Sequence, residues 1–221
     1  MAPSDPTTGA GVLLAFLKPT PAGSNEAQPD DKLALLSAAI TGNVLGIKSA
    51  THYKAANTEY SKQHLFVCET EDLARVNVKQ MLKFLESENM AGEWDVRAYS
   101  EVQIFGPGES GEPAPTIMIA LMQPSPTGAS DLDAWYREEH NQQTSEQPGW
   151  LRTCRYSLVR QESGSEDEEG KEQDLSFLAV HEFGEGEQLG EMVKAFEPVS
   201  EWTMRVMKDA VRIDAAVYRR S

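Results

Sequence analysis

The sequence is short of basic charge: 20 Lys and Arg stand against 35 Asp and Glu, a formal net charge of −15. Phosphate backbones are bound through clustered cations, so nucleic acid is excluded as the expected partner. Cysteine is scarce as well. Cys68 and Cys154 are the only two, both inside apolar, strand-like runs, and neither has a second thiol or a His at metal-ligand spacing, so no metal site is expected. No apolar run approaches the roughly 20 residues that span a bilayer, and the N-terminus lacks a basic segment followed by an apolar one. These absences predict an intracellular, cytoplasmic protein without a membrane partner. A Gly-rich phosphate loop, a His-x-x-x-His pair and a Gly-x-Ser-x-Gly elbow are also missing, which removes P-loop, zincin and α/β-hydrolase chemistry.

What is present is a soluble, globular composition, 40% hydrophobic and 25% charged, in a chain of 221 residues. That length suits one large domain or two smaller ones with their own cores. Residues 1–10 read as a disordered N-terminus. Part of the acid is local: Glu162, Glu166, Asp167, Glu168, Glu169, Glu172 and Asp174 crowd a stretch, 161–174, that reads as a solvated loop.

The most informative feature is internal. Residues 11–21, GVLLAFLKPTP, align without gaps on residues 116–126, TIMIALMQPSP; Ala15, Pro19 and Pro21 recur as Ala120, Pro124 and Pro126. A second match follows at nearly the same offset, where Gly46 and Tyr53 correspond to Gly149 and Tyr156. A period of this size is that of a small domain and not of a solenoid unit, so the chain reads as a duplication. The repeats span 11–105 and 116–221, joined by a Gly- and Pro-rich linker at 106–115.

Hydrophobic periodicity gives each repeat the same order. In the first, strands are predicted over 12–18, 47–55, 64–69 and 94–104, with helices over 31–40 and 73–85, the latter with Leu73, Val76, Gln80 and Phe84 on one side. In the second, strands fall at 117–122, 151–159, 175–183 and 213–219. Its helices fall at 131–143 and 187–210, the last interrupted at Pro198. The fold class is therefore α+β: two tandem ferredoxin-like βαββαβ units, each a four-stranded antiparallel sheet with both helices on one face. If the other faces pack sheet against sheet, a pocket is expected between them.

In the second repeat Ser130 is a plausible N-cap, and the stripe Leu132, Trp135, Tyr136 continues to Glu139, His140 and Gln143. A helix whose inward face turns polar either leaves the core there or presents those groups to a cavity. In the second case His140, with an ordinary pKa of about 6.5, can act as a general acid or base oriented by a carboxylate. The matching helix of the first repeat has Leu35, Leu36 and Ser37 instead, so any site is asymmetric. His52 aligns with Arg155, one residue before Tyr53 and Tyr156, and strand alternation turns it away from those tyrosines. His181 shares a strand face with Phe177 and Ala179 and is a pocket candidate, whereas His64, opening its strand, reads as a surface residue. Trp150 and Trp202 read as core or cavity wall.

The stretch WYREEH, Trp135 to His140, followed by PGWLRTCRY, residues 148–156, resembles the EthD-like branch of the dimeric α+β barrel superfamily. In shape the chain is similar to fungal proteins with two such units in tandem. Asn141 and Gln142 stand where the common pattern has Ala-Pro. The resemblance implies two repeats closing into one barrel within the chain. It also implies a menu of activities: polyketide cyclases, cofactor-free monooxygenases, lactone isomerases, decarboxylases of aromatic polyketides, and haem enzymes. Haem is the least expected, because the axial His of those relatives lies elsewhere in the fold.

The resulting expectation is a cofactor-independent enzyme of secondary metabolism, a cyclase, lyase or isomerase. It would act by acid–base catalysis on a hydrophobic, aromatic or polyketide-like small molecule. His140 would move the proton, Glu139 or Tyr136 would orient it, and Arg155 or His52 would stabilise negative charge. His181, Tyr156, Trp135 and Trp150 would line the substrate site. The alternatives are a non-catalytic small-molecule-binding barrel and a stress-type barrel whose role is association, with a homodimer left open.

Overall fold

The computed structural model describes residues 7–20, 30–107, 111–164 and 175–221. The first repeat runs β1 (Gly11–Pro19), α1 (Asp30–Asn43), β2 (Ser49–Ala55), β3 (His64–Thr70), α2 (Val78–Ser87) and β4 (Gly92–Phe105). The second runs β5 (Thr116–Gln123), α3 (Ala129–Trp135), a π-turn (Tyr136–His140), α4 (Asn141–Ser145), β6 (Trp150–Ser163), β7 (Phe177–Phe183), α5 (Glu201–Asp209) and β8 (Arg212–Arg220). Most of the acidic stretch, 165–174, and residues 1–6 lie outside the described residues. Gly9 and Ala10 are tied to the first repeat: Leu73 N–H donates to the Gly9 carbonyl at 2.8 Å and Glu101 N–H to that of Ala10 at 3.3 Å. No helix among the described residues is long and apolar enough to cross a membrane.

All eight strands form one closed antiparallel barrel in the order β1-β3-β2-β8-β5-β7-β6-β4, with β4 returning to β1. Each repeat supplies a contiguous block of four strands, and the blocks join at two seams, β2 with β8 and β4 with β6. The expected pocket between two facing sheets is therefore corrected. The sheets join edge to edge, and the side chains that alternation sends inward fill the space they enclose. Leu14, Phe16, Tyr53, Tyr99, Ile119, Leu178 and Tyr218 belong to this interior cluster. The tyrosine hydroxyls are satisfied by backbone: Tyr53 donates to Ala114 O at 3.0 Å, Tyr99 to Leu175 O at 3.3 Å and Tyr218 to Lys62 O at 2.8 Å. Charged groups of the interior are paired, as Arg97 is with Asp95 and Lys62 with Asp214.

The outer sheet faces carry the helices. In the first repeat Leu13, Leu17, Phe66 and Val96 pack against Leu33, Leu36, Ile40, Met81 and Leu85 to form a continuous hydrocarbon layer. In the second, Met122 and Ala179 lie under Leu132, Trp135, Tyr136 and Val206.

Four local expectations change. The helix expected at 73–85 starts as a 3₁₀ turn at Leu73–Arg75, because Asp72 caps Ala74 N–H and Asn77 then caps Gln80 N–H. This restart rotates the buried face to Val78, Met81, Leu82 and Leu85, leaving Gln80 exposed. Only Glu201–Asp209 of the expected 187–210 helix forms, started by the Ser200 side chain accepting from Thr203 N–H. Residues 184–200, with Gly184, Gly186, Gly190 and Pro198, run as an irregular strap. Gly128, not Ser130, is the N-cap residue of α3, and it makes no side-chain cap. His64 is buried, not a surface residue: only 6% of it is exposed, and it stacks on His52.

Candidate functional site

The helical segment of the second repeat is built around one irregularity. Asn141 N–H donates to Tyr136 O, five residues back, so the Tyr136–His140 turn contains one residue more than an α-turn. An uninterrupted α-helix would place Glu139 and Gln143 on the inner stripe. The π-turn shifts the phase after Tyr136 by about one residue, and the buried positions become Leu132, Trp135, Tyr136, Asn141 and Thr144. π-turns are frequent at functional sites.

Four aromatic rings meet where this segment lies on β6 and β7. The His140 ring stacks on Trp135, with centroids 4.1 Å apart, and meets Tyr136 and His181 edge to face at 5.2 and 5.6 Å. Phe196 of the strap closes its far side at 6.1 Å. His181 is fully buried; its Nδ1 lies 2.9 Å from the Thr153 hydroxyl, which also accepts from Trp150 Nε1 at 3.1 Å. His140 Nδ1, His181 Nε2 and Asn141 Oδ1 are buried without a hydrogen-bond partner among the described residues. Such groups are rare in folded proteins, since each carries a desolvation cost of about 1–3 kcal/mol.

Both imidazoles are held neutral. Burial pushes the His140 pKa down to about 4, Arg155 adds to the effect and Glu139 opposes it. His181 falls well below the ordinary histidine range through burial, then His140, then Arg155. Glu139 is not oriented on His140. Its Oε1 accepts from Trp135 Nε1 at 3.1 Å, Ser200 at 2.5 Å and Thr203 at 3.1 Å, clamping the π-turn to α5. These bonds outweigh its partial burial and keep its carboxyl below the usual range. Replacing Trp135 by Phe removes the indole donor to Glu139 and Thr203, and should cost about 1–3 kcal/mol in urea unfolding.

Arg155 lies beside this group with its guanidinium 4.5 Å from the Tyr136 ring centroid. It donates from one Nη to Asp133 Oδ1 and from the other to Gln103 Oε1, both at 2.7 Å. A cavity of about 80 Å³ opens between β5–β7 and α3, with Ala120, Met122, Phe177 and Ala179 as floor and Tyr136, Arg155 and Asp133 as wall. The Tyr136 hydroxyl donates to the Met122 thioether, 3.9 Å away, and burial pushes its pKa up to about 12, so the phenol stays protonated at neutral pH.

The structure thus brings together Tyr136, His140, Arg155, His181, Trp135 and Trp150. Of these only Tyr136 and Arg155 face the cavity; the two imidazoles stand behind the Tyr136 ring. Two expected residues are elsewhere. His52 stacks on His64 and Phe66 on the outer face of the first repeat. Tyr156 turns to the barrel interior and reaches the cavity only at its edge. Asp133, Gln103, Asn141 and Thr153 were not foreseen. Asp133 had a signal, lying three residues before Tyr136 on the same helix face; Gln103 had none.

No family model matches the chain, and no curated protein matches it by sequence. Solved structures do match along its whole length. An anthrone oxidase-like protein superposes with a TM-score of 0.57 at 14% identity, covering 99% of this chain and 92% of that one. A putative monooxygenase from Fusobacterium nucleatum subsp. nucleatum gives 0.56 at 6% identity, with 97% and 93% covered. The fold is a dimeric α+β barrel. A mutant chlorite dismutase from Candidatus Nitrospira defluvii, in complex with cyanide, gives 0.56 at 12% identity over 97% of this chain and 91% of its own. At such identities the likeness shows the barrel and its ferredoxin-like units. In this barrel the candidate site lies on the helix-covered outer face of the second unit, whereas the first unit's equivalent face is packed with hydrocarbon beside the stacked His52 and His64.

Proposed function

We propose that this protein is an enzyme that processes a small organic molecule by proton transfer, without a cofactor, between the second sheet and its helices. The observation that carries the reading is the Tyr136–Arg155 wall: a protonated phenol whose acceptor among the described residues is a thioether, under a guanidinium, at the edge of an apolar cavity. Removing a proton beside a carbonyl or phenol leaves charge on oxygen. A phenol donor and a cation in a low-dielectric site stabilise that charge more than water-exposed groups would. His140 becomes the base when the strap that covers it through Phe196 moves aside, because at rest its ring stands behind Tyr136 and outside the cavity. It is unprotonated at neutral pH, and an anion forming nearby would oppose the burial that depresses its pKa.

Cyclase, lyase and isomerase chemistry share this first step and differ in where the carbanion goes next. The anthrone oxidase-like and monooxygenase-like relatives in fold favour the same step, since the carbanion is also the electron-rich form of such a substrate. The finer resemblance to EthD-like tandem proteins rests on Trp135–His140 and residues 148–156. A cavity of about 80 Å³ is smaller than the roughly 150 Å³ that admits benzene. An aromatic or polyketide-like substrate therefore needs the strap at 184–200, which covers His140 through Phe196, to move aside. The small size is also what favours the second reading, a barrel that binds a small ligand without turning it over.

Mass spectrometry of co-purified small molecules would supply candidates, and wild-type and His140→Ala proteins would then be assayed on them. Turnover should fall by about 10²–10⁴-fold with ligand affinity retained. Equal product yield from both would remove His140 from the mechanism, and tight binding without product by the wild type would select the non-catalytic reading.

A further inference from the structure

We propose that Gln103, a residue of the first repeat, is a positioning residue that holds Arg155 over Tyr136 in the site of the second. Its side-chain carbonyl accepts from Arg155 Nη1 at 2.7 Å and from Asn141 Nδ2 at 3.4 Å, so one oxygen ties β6 to the residue that the π-turn brings inward. Asp133 holds the other Nη of Arg155. With both ends fixed, the guanidinium plane cannot turn away from the phenol ring. The functional consequence rests on the proton-transfer reading above; the positioning itself does not.

The backbone shows why this residue reaches the site. Along β4, Asp95, Arg97 and Tyr99 alternate toward the barrel interior, and unbroken alternation would send residues 101 and 103 the same way. Pairing with β6 is out of step at this point: Glu101 opposes Tyr156, yet Gln103 opposes Arg155. Val102 is the extra residue of a β-bulge and is left exposed. The bulge flips Gln103 onto the helix-covered face, in register with Arg155. Bulges that re-aim one side chain occur preferentially beside active sites. The bulge and the hydrogen bonds are separate observations that identify the same residue. The site is accordingly incomplete without a strand of the other repeat, which gives the duplicated arrangement a functional reason.

The test is nuclear magnetic resonance of the Arg155 side chain in the full chain, with Arg155→Lys to assign it. In the wild type the two Nη groups should give separate signals, because interchange requires both hydrogen bonds to break. Gln103→Leu removes one acceptor and should speed the interchange by about tenfold or more. Gln103→Glu keeps an acceptor and should leave the signals separate with a urea midpoint close to wild type, whereas Gln103→Leu, which orphans a buried Arg155 N–H, should have a lower midpoint. If Gln103→Leu fails to fold, Gln103→Met gives the same comparison. Unchanged interchange in the Leu or Met variant, or a change that appears equally in the Glu variant, overturns the proposal. The readout needs no turnover, so its failure is distinct from failure of the proposed chemistry.

Discussion

Replacing Asp95 by Ala should destabilise the protein by about 3–5 kcal/mol, measured by urea unfolding. Asp95 sits inside the barrel and accepts from Arg97 Nε at 2.9 Å and Nη2 at 2.6 Å, and from Gln161 Nε2 at 3.0 Å. The Arg97 side chain is fully buried, with its guanidinium 5.7 Å from the centre of the Phe16 ring. Burial alone would depress the pKa of this cation, but the hydrogen bonds and charge of Asp95 reverse that and hold it above its ordinary value. Without the carboxylate, Arg97 loses the acceptor of two charge-assisted hydrogen bonds while its charge stays inside the barrel. The double replacement Asp95→Ala, Arg97→Met removes the charge as well and should recover most of the loss. A single variant with near wild-type stability would show that water reaches Arg97 and that the interior is not dry.

Lowering the pH should unfold the protein through its histidines. His140 takes a proton at about 4 when folded, because its ring is packed against Trp135, Tyr136 and Phe196, and at about 6.5 when unfolded. Between those values the unfolded chain binds a proton that the native state refuses. The stabilisation is therefore complete above about pH 6.5 and is lost progressively as the pH falls toward about 4. At pH 5 the loss from His140 is about 1–2 kcal/mol, allowing for the ring's partial exposure. His181 is shifted in the same direction and steepens the same limb. Melting temperatures between pH 7.5 and 4.5 should fall less steeply for His140→Gln and least for the variant that also carries His181→Gln. Parallel curves for all three would show that neither imidazole is held neutral by the fold.

The parts of the fold that were legible share a cause. Strand signals are local, so the apolar runs 12–18 and 117–122 announced β1 and β5, and the recurrence of Pro-x-Pro after each announced the duplication. Alternation also put Arg155 on the face away from Tyr156, and His181 on the face of Phe177 and Ala179, as found. The site was read less well where helix periodicity was interrupted. Regular helix spacing puts Glu139 on one stripe with His140, but one extra residue in the turn sends it to Ser200 and Thr203 while Asn141 takes the inner position. The helix expected at 187–210 forms only in its last part: Gly190 and Pro198 interrupt its first part, where Leu189, Val193 and Phe196 instead pack as a strap.

By itself the sequence determined the α+β class, the two repeats, the strand faces of Arg155 and His181 and the asymmetry between Leu36–Ser37 and Glu139–His140. Only the tertiary structure decided where the candidate site lies. Closing eight strands edge to edge fills the barrel interior and leaves the outer face of the second repeat as the place for a cavity. The bulge that turns Gln103 toward Arg155 is a matter of register between strands some 50 residues apart. Register at such distances is set by which pairings close the barrel, a condition that no local pattern of residues expresses.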